Sequence, residues 1–547
     1  MVVSDIIAVA CLVWTFTVIL VCCIGVHQIR QNTIKRPPPS TVDKLPLDQI
    51  PHITIIRPVK DDEPYLYECL AATFHQTYPL ERLTIFFCVP NRKDTALPIL
   101  ERLLSDFPLF DAKILVEEED PNLSGRDGKI TNLGPNPKIR NMSRAYRETK
   151  GDIIWIIDCN VWVSPLVAAR MVDLLCGLTT LPSDETSTLA PTPRKYKFVH
   201  QLPLVVNVSS LSPAQTTSAL SSGPPADPFT ILSDALYTSE SGGLLEELFF
   251  STSHAKFYTA IATVAIAPCT VGKSNMFRRS HLNALTTTPS ASPSAESKAE
   301  IRDPGIDFFS DNICEDHLIS DLLWRSPVPE SIQHIAALEG KPHSSAQNQI
   351  PTSTWRNHGL LPPYPSNLAT QPMSHMPLSS YIDRRTRWLR VRKFTVTAAT
   401  LVEPGTESLL CSAYGAWGLT TLPWCHNKLG IPPSWTAFFI LFLLSVTCWA
   451  AVDRYVWTLL QKHRSPDADM DERPAFSGAR GKERRFGKWI LAWLGREVLA
   501  LPIWIWAVCG GVSVVWRGRR FWVGTDMKVH EIGEEVGGNG VVKDRAD

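Results

Sequence analysis

Residues 6–26 form an almost purely apolar, uncharged run. At about 1.5 Å per residue such a run is long enough to cross a hydrocarbon core of about 30 Å. Asp5 precedes it, and His27, Arg30, Lys35 and Arg36 follow. That flank predicts an uncleaved anchor with the next domain in the cytosol, since basic residues stay on the cytosolic side. Pro37, Pro38 and Pro39 predict a stiff spacer, so 1–27 reads as an anchor and 28–51 as a Pro-rich linker. Further apolar stretches run over 409–422, 435–452 and 489–515. The first two predict a transmembrane hairpin over 405–455, although the first is short for a full crossing. Arg480, Lys482, Arg484 and Arg485 mark 456–488 as a basic cytosolic loop. The third stretch carries Arg496, Glu497, Pro502 and Gly510-Gly511, so 489–516 reads equally as a span or a re-entrant segment, with 517–547 as a tail.

Between the membrane segments β-branched runs alternate with helical spacing. Strands are expected over 53–59, 84–89, 114–116 and 153–157, and helices over 65–76, 97–106 and 139–148. Such alternation predicts an α/β domain over 52–395, a doubly wound and mostly parallel sheet that binds ligands outside the carboxyl ends of its strands. Four tracts rich in Pro, Ser and Thr interrupt it, at 183–192, 209–228, 286–297 and 327–372. They offer too little apolar surface to offset ordering entropy and are expected to be insertions or disordered.

Composition narrows the classes. Fifty-four Lys plus Arg balance 54 Asp plus Glu, which leaves no overall basic field for nucleic acid. The 13 cysteines show no metal-ligand spacing and read as reduced thiols. Nothing in the pattern assigns an oligomeric state.

Acidic residues just after strands are the first candidates for chemistry. Asp158 ends the apolar strand of Gly151-Asp-Ile-Ile-Trp-Ile-Ile-Asp158, where a carboxylate can hold a divalent cation that neutralises a departing diphosphate. Asp94, after the second strand, suits a nucleotide-side carboxylate or a helix N-cap. Glu315-Asp316 is a carboxylate pair before an apolar helix, or simply a solvated helix start. Arg384-Arg-Thr-Arg-Trp388 couples guanidinium forks with an indole, a combination suited to a diphosphate or to anionic lipid headgroups. The apolar run 257–267 is too short to span; it suits a dip into the membrane interface or a core element.

Taken in order, an amino-terminal anchor, two strand-associated aspartates, a Glu-Asp pair and an Arg-x-x-Arg-Trp string resemble the ceramide glucosyltransferases of the inverting glycosyltransferase-A superfamily. The words Asn136-Pro-Lys-Ile-Arg-Asn141, Thr252-Ser-His254, Cys269-Thr-Val-Gly-Lys-Ser274, Arg496-Glu-Val498 and Trp516-Arg-Gly-Arg519 strengthen the resemblance, and the insertions suggest a fungal type. The resemblance implies a glycosyltransferase-A-like domain that transfers glucose from UDP-glucose to ceramide, with inversion, in a Golgi or endoplasmic reticulum membrane. It implies Asp316 as catalytic base and Asp158 as ligand of Mg2+ or Mn2+. It implies Asp94, Lys138, His254, Cys269, Arg384, Arg387 and Trp388 as substrate-binding residues. Asn160 stands where many such enzymes carry a second Asp, which weakens the expected metal site. The rival readings are a processive polysaccharide synthase with the same acidic motifs and an inactive lipid-binding scaffold.

Overall fold

The computed structural model describes residues 3–35, 37–124, 133–178, 194–208, 241–287, 302–333, 354–461, 476 and 486–532. Its centre is a sheet in the order β10-β6-β8-β4-β1-β2-β3. The strands are β1 (Ile53–Pro58), β2 (Leu83–Val89), β3 (Asp111–Val116), β4 (Ile153–Ile157), β6 (Phe198–His200), β8 (Ser274–Arg278) and β10 (Gly359–Leu360). β4, β1, β2 and β3 run parallel, and β8 is antiparallel to both β4 and β6. β1, β2 and β4 are buried throughout, as helices on both faces require of central parallel strands. Successive side chains alternate: Ile55, Phe87 and Trp155 enter one apolar layer, while Ile56, Phe86 and Ile154 enter the other.

Arg57 is an exception within β1. Fully buried, its guanidinium donates to the carbonyls of Cys69, Cys159 and Val161 at 2.7, 3.2 and 3.0 Å. These bonds fix the loop after β4, immediately beyond Asp158.

The remaining strands are β5 (Arg194–Tyr196), β7 (Pro203–Asn207), β9 (Thr354–Arg356), β11 (Ala369–Met373), β12 (Ser513–Trp516), β13 (Arg519–Val523) and β14 (Val529–Glu531). β5 pairs with β9 and β7 with β11, both in parallel, while β12-β13-β14 form an antiparallel meander.

Among the described residues three helices are long and apolar enough to cross a membrane: Val3–Ile34, Trp435–Gln461 and Phe486–Cys509. The Ser408–Thr421 helix has 14 residues, roughly 21 Å of rise, and falls short of a crossing. The expected hairpin is therefore one span beside a short packed helix. Where the helices meet, Lys256 pairs with Asp453, and Arg496 pairs with Asp453, Glu407 and Glu497, all inside the bundle. Trp493 Nε1 donates to Asp453 at 2.8 Å. Paired charges of this kind fix helix register, because parting any of them strands an ion in a nonpolar interior.

Four expected boundaries are corrected. The anchor helix continues to Ile34, into the expected linker, because no helix breaker precedes the prolines. The 435–452 stretch continues as helix to Gln461, past the expected start of the basic loop. The third apolar stretch ends as helix at Cys509, where Gly510-Gly511 breaks it, and the following residues form β12 and not a membrane segment or loose tail. Within 327–372, β9, β10 and β11 are paired strands, and Leu361, Leu368 and Ala369 are buried. Short apolar words inside a polar tract suffice when neighbouring strands supply register. The tracts 183–192 and 209–228, and most of 286–297, lie outside the described residues.

Candidate active site

Asp158 leaves β4 with both carboxylate oxygens engaged. Lys138 Nζ lies 3.1 Å from Oδ1, and Lys273 Nζ lies 3.0 Å from Oδ2. Lys138 comes from the first turn of the Pro137–Arg147 helix, which Asn136 caps by accepting from the backbone N–H groups of Lys138 and Ile139. Lys273 immediately precedes β8, the antiparallel neighbour of β4. Burial alone would raise Asp158, but Lys138 and Lys273 outweigh it and hold the carboxyl well below its ordinary range.

The same Lys138 Nζ lies 3.2 Å from Glu315 Oε1. Burial works against the ammonium, yet Asp158, Glu315 and Asp316 together hold Lys138 above the usual lysine range. Glu315 is raised by burial, with Lys138 offsetting only part. Asn136 Nδ2 donates to Glu315 Oε2 at 3.1 Å, so one asparagine caps the lysine helix and braces the carboxylate pair. Glu315 and Asp316 begin the Glu315–Arg325 helix, where the helix dipole favours negative charge.

Asp316 differs from its neighbours. Among the described residues its carboxylate forms no ion pair or hydrogen bond, although it lines an open recess of about 430 Å³ with Lys138 and Gly272. A Cβ on Gly272 would stand 2.9 Å from Asp316 Oδ2 and 3.0 Å from Lys138 Nζ. Glycine is what lets this backbone approach both groups.

The arginine string lies on the Leu378–Thr395 helix. Arg384 Nε pairs with the fully buried Glu246 Oε1 at 2.7 Å, and its guanidinium lies 4.9 Å from the Trp388 ring centre. Arg387 is half-buried and has no ion-pair partner among the described residues; burial first, then Arg384, bring it down to about 10. Arg385 lies over the Phe249 ring at 3.7 Å, 5.6 Å from the Trp388 ring centre, and pairs with Glu403 at 3.2 Å. An aromatic ladder continues from Trp388 through Phe250 and His254 to Tyr258, with centroid steps of 5.8, 4.8 and 5.1 Å.

Burial, with Arg385 and Arg392 nearby, pushes His254 down to about 3, so its ring is neutral. Burial likewise pushes the Cys269 thiol up to about 11, which makes it a thiol and not a nucleophilic thiolate. Asp94 sits apart, beyond β2. Its Oδ1 accepts from the backbone N–H groups of Ala96 and Asp61 at 2.9 and 3.1 Å, tying the loop after β2 to the loop after β1.

The structure thus gathers Asp158, Lys138 and Asp316 into one cluster, and Arg384, Trp388 and His254 along one aromatic wall. Two members were not singled out from sequence. Lys273 was visible inside the Cys269–Ser274 word, but nothing local shows that it meets Asp158. Glu246 is a carboxylate in an apolar helical run, a signal that it needs a buried partner.

Asp158 was expected to hold a metal ion. Its oxygens are both taken by lysines, Asn160 supplies an amide where a second carboxylate would help, and among the described residues no three His, Cys, Asp or Glu side chains are placed to hold a metal ion together. This donor set does not fit a divalent cation, which favours several oxygen ligands. Lys138 and Lys273 hold the positive charge at this point instead.

The family model of glycosyl transferase family 21 matches residues 13–183 and 357–529. A protein of Pyricularia oryzae named ceramide glucosyltransferase is 45% identical over 523 residues, covering 95% of this chain and 94% of that protein. One of the same name from Gibberella zeae is 40% identical, covering 95% and 92%. Among solved structures, the mannosyltransferase PcManGT of Pyrobaculum calidifontis, in complex with GDP-Man and Mn2+, shares 14% identity at a TM-score of 0.35, covering 85% of this chain and all of that one. With membrane-crossing helices on either side of its sheet domain, this chain is a membrane glycosyltransferase and belongs to glycosyl transferase family 21.

Proposed function

We propose that the protein transfers glucose from UDP-glucose to the primary hydroxyl of ceramide, with inversion, at the cytosolic face of its membrane. The observation that carries the reading is the unengaged Asp316 carboxylate beside a lysine-neutralised Asp158 and Glu315. Single displacement needs one base and no enzyme nucleophile. Asp316 takes the proton from the acceptor hydroxyl as its oxygen bonds to the anomeric carbon. The bond from that carbon to the diphosphate oxygen breaks, and its electron pair leaves with UDP.

Charge developing on the diphosphate is met by fixed cations, Arg387 and Arg384 on the motif helix and Lys138 and Lys273 in the cluster. Trp388 and the aromatic ladder supply a flat apolar wall. The acceptor is a lipid, and exposed Val264 and Ile266, at the end of the Ser253–Val264 helix, form an apolar edge suited to the interface. The names of the fungal relatives support ceramide and glucose as the substrates.

The test is incubation of membranes carrying this chain with labelled UDP-hexoses and ceramide, followed by lipid analysis. A monoglucosylated ceramide is the expected product; an extruded polymer or an unmodified lipid pool overturns the reading. Orientation has its own check. Asn122, Asn141 and Asn207 lie in glycosylation sequons, and a cytosolic domain carries glycan on none of them. Asn141 and Asn207 are also buried in the fold, so Asn122 is the informative one.

A further inference from the structure

The meander that follows the last membrane helix has no part in the chemistry above, yet it is bolted to three walls of the cleft. Arg390 of the motif helix donates to the carbonyls of Ser513 and Gly510, each at 2.7 Å. On the far edge, the Val529 N–H donates to Asp311 O at 2.8 Å and Asn312 Nδ2 donates to Met527 O at 2.8 Å. At its tip, Lys60 Nζ, just beyond β1, donates to Arg517 O at 2.8 Å. The β12-β13 turn is therefore pressed against the carboxyl ends of the strands, where nucleotides bind in such sheets.

That turn is built from Arg517 and Gly518, both at positive φ, 50° and 77°. Two-residue hairpin turns of this sort favour Asn-Gly or Gly-Gly, because only small residues enter the left-handed region without strain. A long arginine held there points to a use for its side chain.

Its surroundings indicate the use. The Arg517 charge reaches Cys159, next to Asp158, and Glu117, at the end of β3. It also adds to the burial and the Arg384 charge that bring Arg387 down. Arg384 is ion-paired with Glu246, whereas neither Arg387 nor Arg517 has an ion-pair partner among the described residues. Two guanidiniums without acid partners, one on the motif helix and one on a turn seated just beyond the carboxyl end of β1, suit a doubly charged anion.

We propose that Arg517 binds the diphosphate of the nucleotide-sugar donor from the meander side of the cleft, opposite Arg387. This rests on the reading of the cleft as a UDP-sugar site.

The discriminating variant is Arg517→Gly, which suits the turn better than the native residue and so preserves the fold. With full-length protein in nanodiscs, R517G should keep its thermal midpoint or raise it. It should bind UDP at least tenfold more weakly, bind uridine unchanged, and raise KM for UDP-glucose; R517K should fall between. A wild type that binds UDP while R517G binds it equally well overturns this assignment alone. Equal weakening toward UDP and uridine also overturns it, since the residue would then act on the base side or on the fold. A wild type that binds no UDP overturns the parent reading and this one with it.

Discussion

Lys138 bridges Asp158 and Glu315, its Nζ lying 3.1 and 3.2 Å from their carboxylates. Two anions far apart in sequence are held within reach of one ammonium, and Asp316 has no ion-pair partner among the described residues. Lys138→Met leaves buried charge unpaired, so stability should fall by about 3–5 kcal/mol. Adding Glu315→Gln should recover part of that loss, because Asp158 keeps Lys273 as its partner and Glu315 does not. Thermal unfolding of the single and double variants reads the coupling.

Replacement of the free carboxylate should separate chemistry from binding. Asp316→Asn is expected to lower kcat by about 10²–10⁴-fold, the usual contribution of a positioned base, with UDP affinity within about twofold of the parent. Retained turnover would remove Asp316 from its role.

Gly272 is a narrower test of the same geometry. Gly272→Ala places a methyl group against Asp316 Oδ2 and Lys138 Nζ, so either the base or the lysine must shift. Overpacking of this kind costs about 1–3 kcal/mol. A lowered kcat with nearly unchanged KM for UDP-glucose is the expected signature, measured by initial rates.

Chelation should have a modest effect. Because Lys138 and Lys273 already occupy the Asp158 oxygens, activity in EDTA should stay within tenfold of the untreated enzyme. Lys273→Ala should cost more than the chelator does. Complete loss in EDTA with recovery on adding Mn2+ would contradict the lysine-based site.

Asp307 offers a pH prediction away from the reacting groups. Burial raises its carboxyl to about 6, against a hydrogen bond from Ser143 and the Arg147 charge, which lower it. A carboxyl whose folded pKa lies above its unfolded value favours the native state only while protonated. Its contribution is fully present below about pH 4 and is lost as the pH rises through 6. Asp307→Asn should therefore raise the thermal midpoint at pH 7.5, with the gain shrinking toward pH 5.

Much of the sheet was legible because central parallel strands are unbroken β-branched runs. Ile153–Ile157 is a strand with Asp158 immediately after it, as the pattern indicates. Asp316 and the arginine string were legible because their chemistry is concentrated in a few adjacent residues. Lys273 was not, since its meeting with Asp158 depends on β8 inserting antiparallel beside β4, a pairing set by tertiary packing. The 489–515 run misled for a different reason. A membrane helix and a β-branched strand are both apolar in sequence, and Gly510-Gly511 marks the break between them. Proline and serine content hid β9, β10 and β11, which borrow their order from strands laid down far earlier in the sequence.

The seat of the meander on Asp311 and Asn312 also imposes an order of events during biosynthesis. The segment leading to the base helix is translated long before residues 513–531, and until those emerge its Asp311 carbonyl lacks the Val529 N–H. Emergence of the meander follows that of the Phe486–Cys509 helix, so this layer is completed only after the three candidate membrane helices among the described residues have left the ribosome. A chain halted at Cys509 would hold the whole bundle and show no turnover in the same lipid assay.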